Sequence, residues 1–145
     1  MLRSPRCAPA LLLVVVACSC GANPGGPSAG SSKEAFFAAL RQQGASVTPG
    51  QILPQASNPY FDVSAQVVQV NTGTVNVFEY GDAAAAQRDA AKVSLDGSRV
   101  GNASIDWIGP PHFYRDGRLI VIYAGDAPAV LQPLQAVLGA QFAGR

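Results

Sequence analysis

The chain contains one histidine and one tryptophan, and they lie close together in Trp107-Ile108-Gly109-Pro110-Pro111-His112-Phe113-Tyr114-Arg115-Asp116. An imidazole among aromatic rings, beside a double-proline break, can line a ligand pocket. Trp107, His112, Tyr114 and Arg115 therefore form the candidate ligand patch. A structural reading of the same residues is favoured. In it, Trp107, Phe113 and Tyr114 are core or sheet-surface side chains, His112 hydrogen-bonds at a strand start, and Pro110-Pro111 redirects the chain at a sheet edge. Catalytic templates find less support. Ser104, Asp106 and His112 are the nearest Ser-Asp-His set, and Ser104 and Asp106 fall on the same face of one expected strand. The sequence has no G-x-S-x-G elbow and no recognisable oxyanion loop. A single histidine cannot make a multi-histidine zinc centre. Asp62, Glu79, Asp82 and Asp89 are too widely spaced for a calcium loop, and D-x-D-x-D-G is absent. Any two carboxylates could meet in space, so a glycosidase pair has no specific signature. No catalytic residue, metal or cofactor is assigned. Arg115-Asp116-Gly117-Arg118 reads as a hairpin tip with two exposed cations, a solvated turn or a partner contact.

These residues need a scaffold, and local patterns outline one. Ser31-Ser32-Lys33-Glu34 fits a capping box with Ser31 as cap. It opens a helix over 32–43 in which Phe36, Phe37 and Leu40 share a face, and Gly44 is the stop. Residues 45–65 carry three prolines and read as short extended pieces and loop. Strands at 66–70 and 74–80 flank Asn71-Thr72-Gly73, with Gly73 available for positive φ. Asp82 can cap an alanine-rich helix over 83–94, and a loop follows. Residues 103–108 alternate as a strand. Residues 113–115 and 118–123 pair across Asp116-Gly117 as a type I′ hairpin. "LIVIY" is apolar on both faces and marks a central strand. Asp126 is the expected cap of a last helix whose stripe is Val130, Leu131, Leu134, Val137 and Leu138. Pro133 inside that helix would cost about 3 kcal/mol, so the helix either starts near Gln132 or kinks. Tight turns between neighbouring strands favour an antiparallel sheet. The expected class is α+β, with an antiparallel sheet of about 4–6 strands covered mainly on one face by about three helices.

The N-terminus gives an address. Arg3 and Arg6 precede an apolar run over 10–17, roughly half of the ~20 residues that cross a bilayer as a helix. A basic start, a short apolar core and small residues after it read as a secretory signal. The run ends in Val15-Val16-Ala17-Cys18, which resembles the lipobox of bacterial lipoproteins. That resemblance implies removal of residues 1–17 and a diacylglycerol on the Cys18 thiol, the one good nucleophile at that place. Cys20 is the rival acceptor, with a poorer motif. Cys7 would leave with the signal, so the folded part has no cysteine for a disulfide or a zinc site. Residues 19–32 are Gly, Pro, Ser, Ala, Asn and Cys without charge, a composition that cannot build a core. Fourteen such residues reach at most about 45 Å. The expected organisation is signal 1–17, lipidated cysteine and tether 18–32, and one domain over 33–145.

The formal net charge is +1. Without Arg3 and Arg6, eight basic residues face nine acidic ones, net −1. No basic stripe is present, so nucleic acid is not an expected partner. The domain as a whole is similar to small bacterial lipoproteins that share Phe78-Glu79-Tyr80, Trp107, Pro111-His112-Phe113-Tyr114-Arg115, Gly117-Arg118-Leu119-Ile120-Val121, Tyr123, Gly125 and Leu138-Gly139. The resemblance implies a fold and no activity. The expectation is a membrane-anchored, extracytoplasmic, non-catalytic module, at the periplasmic face or cell surface, that binds a small ligand or an envelope protein. A small hydrolase or ligand-binding enzyme centred on His112, and an envelope spacer, are the alternatives.

Overall fold

The computed structural model describes residues 32–58 and 60–145. Cys7, the lipobox with Cys18, the rival Cys20 and the tether up to Ser31 lie outside the described residues. Among the described residues the chain forms three α-helices, a six-stranded antiparallel sheet and a separate two-stranded ribbon, an α+β fold.

Helix α1, Lys33–Gln42, is capped by the side chain of Ser32, which accepts from the Ala35 N–H at 3.2 Å. This cap is one residue later than expected, so Glu34 is the helix's second residue; Ser31, the expected cap, lies outside the described residues. The Glu34 carboxyl is held below its usual range by its own backbone N–H and then by Ser32. Gly44 donates to the Arg41 carbonyl at 2.9 Å and Ala45 to that of Leu40 at 3.1 Å. These two bonds are the paired closure of a Schellman end.

Strand β1 is Val47–Leu53, β2 is Ala65–Val70 and β3 is Gly73–Glu79. The β2–β3 pair closes with Val70 opposite Gly73, so the turn is Asn71-Thr72. Positive φ falls on Asn71, at 50°, and not on Gly73. Helix α2, Ala83–Ala90, has the expected cap: Asp82 accepts from the Ala85 N–H at 2.7 Å. It stops before the expected residue 94 because Val93 bridges Val100. The expected strand over 103–108 shrinks to β5, Ala103–Ser104, which pairs only with β4, Arg99–Val100. Strands β6, Pro111–Asp116, and β7, Leu119–Ala124, pair with Asp116 opposite Leu119. The turn is therefore Gly117-Arg118, one residue later than expected. Positive φ on Gly117 alone (54°) fits the II′ form, not I′. After helix α3, Pro128–Leu138, strand β8, Ala143–Gly144, closes the sheet in the order β1-β2-β3-β7-β6-β8.

β7 lies inside the sheet and is buried on both faces, as its sequence suggests. Leu119, Val121 and Tyr123 join the cluster formed with Phe36, Leu40, Val130 and Leu134 of α1 and α3. Ile120 and Ile122 join the opposite cluster with Phe61, Phe78, Ala86 and Phe113 under α2. Two helices thus cover one face, and α2 with the irregular segments covers the other. Each fully buried aliphatic side chain contributes about 1.5–3 kcal/mol.

Asp126 does not cap α3. The cap is Ala127, without a side-chain bond, and Pro128 occupies the first turn, where a missing N–H costs nothing. The helix starts at Pro128, not near Gln132, and continues past Pro133. A proline there cannot donate to the carbonyl four residues back, that of Ala129. The Asn71 side chain takes that place: its Nδ2 donates to the Ala129 oxygen at 2.6 Å. Asn71 also accepts from the Ser46 N–H through Oδ1 at 2.8 Å, and its own N–H donates to the Ser46 carbonyl at 2.9 Å. One residue in the β2–β3 turn therefore ties the α1–β1 connection to a defect in α3.

The hairpin tip also differs from expectation. Arg118 is not an exposed cation; its Nη2 contacts Glu79 Oε1 at 2.7 Å, with both side chains half-buried. Glu79 pairs with Leu119 across the β3–β7 ladder, so "FEY" and "GRLIV" meet in one ion pair.

Candidate functional site

The four patch residues are held on opposite sides of the sheet. His112 stacks on Tyr123, ring centroids 6.2 Å apart, on the α1–α3 side. It is 8% exposed, and Nδ1 donates to Gln141 Oε1 at 2.6 Å. Nε2 is buried without a bond. Tyr114 is fully buried on the same side. Its hydroxyl makes no bond of good geometry. Burial pushes it up from its ordinary pKa, partly offset by the Gln135 side chain. Trp107 belongs to the α2 side, edge-to-face on Phe113 at 5.7 Å and 80°. Arg115 is exposed. Ser104 and Asp106 point outward from the segment that carries Trp107, so His112 does not join them.

A cleft does form around Trp107, from residues far apart in the chain. The turn over 94–98 is built by Asp96: Oδ1 accepts from the Ser94 hydroxyl at 2.7 Å, the Ser98 hydroxyl at 2.9 Å and the Ser98 N–H at 3.1 Å. The Ser94 bond first, then those from Ser98, hold the Asp96 carboxyl down to about 2. Opposite it runs the segment after β5. Ile105 N–H donates to the Ser98 carbonyl at 3.0 Å, and Trp107 Nε1 donates to the Gly97 carbonyl at 2.8 Å. Pro110 is fastened by the Gly125 N–H at 2.9 Å. Between them lies a cavity of about 360 Å³ lined by Asp96, Ser98, Asp106, Trp107, Pro110 and Arg145, among others. Its volume falls at the lower end for small-molecule sites, which span about 300–1,000 Å³. One indole, two carboxylates, a guanidinium and a hydroxyl make the lining amphiphilic. Such a wall can stack a flat apolar surface and hydrogen-bond its polar edge.

Two exposed aliphatic side chains adjoin lining residues in sequence. Leu95, next to Asp96, is 85% exposed, and Ile108, next to Trp107, is 101% exposed. Trp107 and the Pro110-Pro111 break are the parts of this cleft that the sequence pattern singled out. Asp96, Ser98, Asp106 and Arg145 carried no joint signal, because turn formation and β8 docking bring them together.

A second polar cluster was also missed. Asp89 of α2 is 2% exposed. Its Oδ2 accepts from the Tyr80 hydroxyl at 2.8 Å and the Asp62 N–H at 2.9 Å, and its Oδ1 meets Lys92 Nζ at 2.6 Å. Lys92 also reaches Asp62 Oδ2 at 3.2 Å. Burial pushes the Asp89 carboxyl up, but the bonds from Lys92, the Asp62 N–H and Tyr80 together outweigh it and hold it below the ordinary range. Burial, then Asp89, pushes the Tyr80 hydroxyl far up. Every acceptor has a donor, so this cluster fastens the 60–63 loop to α2. The signal available for it was a carboxylate on the Ala86/Ala90 face of α2.

Among the described residues no group of three or more His, Cys, Asp or Glu could hold a metal ion, and no helix is long and apolar enough to cross a membrane. No protein-family model matches the chain, and neither the curated proteins nor the solved structures yield a match.

Proposed function

We propose that this protein is a membrane-anchored extracytoplasmic lipoprotein, tethered through Cys18, that binds a small amphiphilic ligand or a small feature of an envelope partner in the Trp107 cleft. The observation that carries the binding reading is the cleft itself. It gathers an oriented indole, the Asp96 and Asp106 carboxylates and Arg145 around an open space of about 360 Å³. The anchoring reading rests on Val15-Val16-Ala17-Cys18 and the uncharged run that follows. A non-catalytic role fits the placement of His112, whose Nδ1 is committed to Gln141 and whose ring stacks on the far side of the sheet.

The test uses a property of the sequence: Trp107 is the chain's only tryptophan, so all indole emission reports the cleft. The full chain is titrated with short peptides, oligosaccharides and single-chain amphiphiles. A saturable change in emission is expected with one class and not the others, weakened in Asp106→Ala. No saturable change with any class, or one that Asp106→Ala and Arg145→Ala both leave intact, overturns the binding reading.

A further inference from the structure

We propose that the Leu95–Ile108 rim of the cleft docks on the lipid bilayer itself, so that the cleft opens at the headgroup level. This rests on the anchoring reading above. The first observation is where the exposed apolar residues lie. The described residues leave three large hydrophobic side chains exposed, and two of them, Leu95 and Ile108, adjoin in sequence the cleft-lining residues Asp96 and Trp107. They sit on separate segments. The Leu95 carbonyl is fixed by the Gly144 N–H at 2.9 Å, and Ile108 follows Trp107, whose indole is fixed on Gly97. Two aliphatic tips beside an indole reproduce the residue types that enter the bilayer interface, aliphatics below and tryptophan at headgroup depth.

The second observation is the length of chain before the described fold. Residues 19–32 separate the candidate lipidated cysteine from α1 and reach at most about 45 Å. A domain of this size has a radius of gyration of about 13 Å, so it is about 35 Å across. The tether therefore lets any face turn toward the bilayer, and does not itself choose one. Held this close, the domain meets the membrane at an effective concentration in the millimolar range. Weak contacts then suffice, and the exposed tips of Leu95 and Ile108 decide the face. The charges beside the rim are nearly balanced, with Asp96 and Asp106 against Arg145. This matches a zwitterionic surface and gives no attraction to an anionic one. Each aliphatic tip changed to Asn should lower the docked-to-undocked ratio about tenfold.

The test uses the full lipidated chain, its anchor verified by intact mass, in phosphatidylcholine vesicles with and without brominated acyl chains. Trp107 emission is expected to shift to the blue and be quenched by the brominated lipid. In the double variant Leu95→Asn/Ile108→Asn, quenching should fall to the level of an undocked domain while the far-UV circular dichroism is unchanged. Absent quenching in the wild type, or equal quenching in the variant, overturns the docking and leaves the anchor standing. If the mass shows no lipid, the anchoring reading falls. Docking is then judged by the same quenching with the chain added to vesicles, and its absence overturns docking as well.

Discussion

Replacing Asn71 by Ala removes the side-chain bonds to Ser46 and Ala129 and places a residue with a plain Cβ at φ 50°. Both bonds lie near the surface, so water can solvate the groups left behind. Each then contributes about 0.5–1.5 kcal/mol. Ala at positive φ adds up to about 1 kcal/mol over Asn. The expected loss is about 2–3 kcal/mol, and Asn71→Gly should lose less, since only the bonds go. The decisive variant is Pro133→Ala. It restores an N–H that donates to the Ala129 carbonyl, so the Asn71 Nδ2 bond becomes a second bond to a satisfied acceptor. Asn71→Ala should then cost about 1 kcal/mol less in the Pro133→Ala background than in the wild type. Urea unfolding, followed by circular dichroism at equal m-values, measures all four corners of the cycle. Equal costs in both backgrounds would refute the argument that Asn71 substitutes for the missing helix bond.

The buried Asp89 makes stability pH-dependent. Its folded-state pKa is depressed, so its contribution is fully present above the unfolded value of about 3.9 and is lost as pH falls through the folded value. Asp89→Asn should cost about 2–3 kcal/mol at pH 7, discounted because Lys92 is partly exposed, and should flatten the acid limb of the stability curve below about pH 4. An acid limb as steep as that of the wild type would contradict this. His112→Leu should change stability by less than about 1.5 kcal/mol, since a buried ring nitrogen without a bond is removed along with one hydrogen bond. It should leave every response of Trp107 to ligand unchanged; a loss of binding would return His112 to the site.

Elements set by local chemistry were legible. The Asp82 cap, the Gly44 stop and the two-faced apolar "LIVIY" each depend on neighbours within a few residues. Errors came where two adjacent residues competed for one role. Ser31 and Ser32 both suit a cap, and Gly117 can be the second residue of one turn or the first of the next. The long strand expected at 103–108 failed because alternation tells which way side chains point but not whether a partner strand exists. Burial does alternate there, yet only Ala103–Ser104 find a partner. The aromatic patch misled for a related reason: His112 and Phe113 are neighbours in sequence and point to opposite faces of β6. Trp107 and the Pro110-Pro111 break were legible as one wall of the cleft, but the other wall was out of reach, since Asp96 and Arg145 meet only after β8 has docked on β6.

The anchoring claim is tested most directly by intact mass of the full chain expressed in a bacterium, wild type beside Cys18→Ala. The account predicts a chain that begins at Cys18 and carries a diacylglycerol mass, absent in the variant. An unmodified wild-type chain, or lipid that persists on Cys20 in the variant, would contradict it.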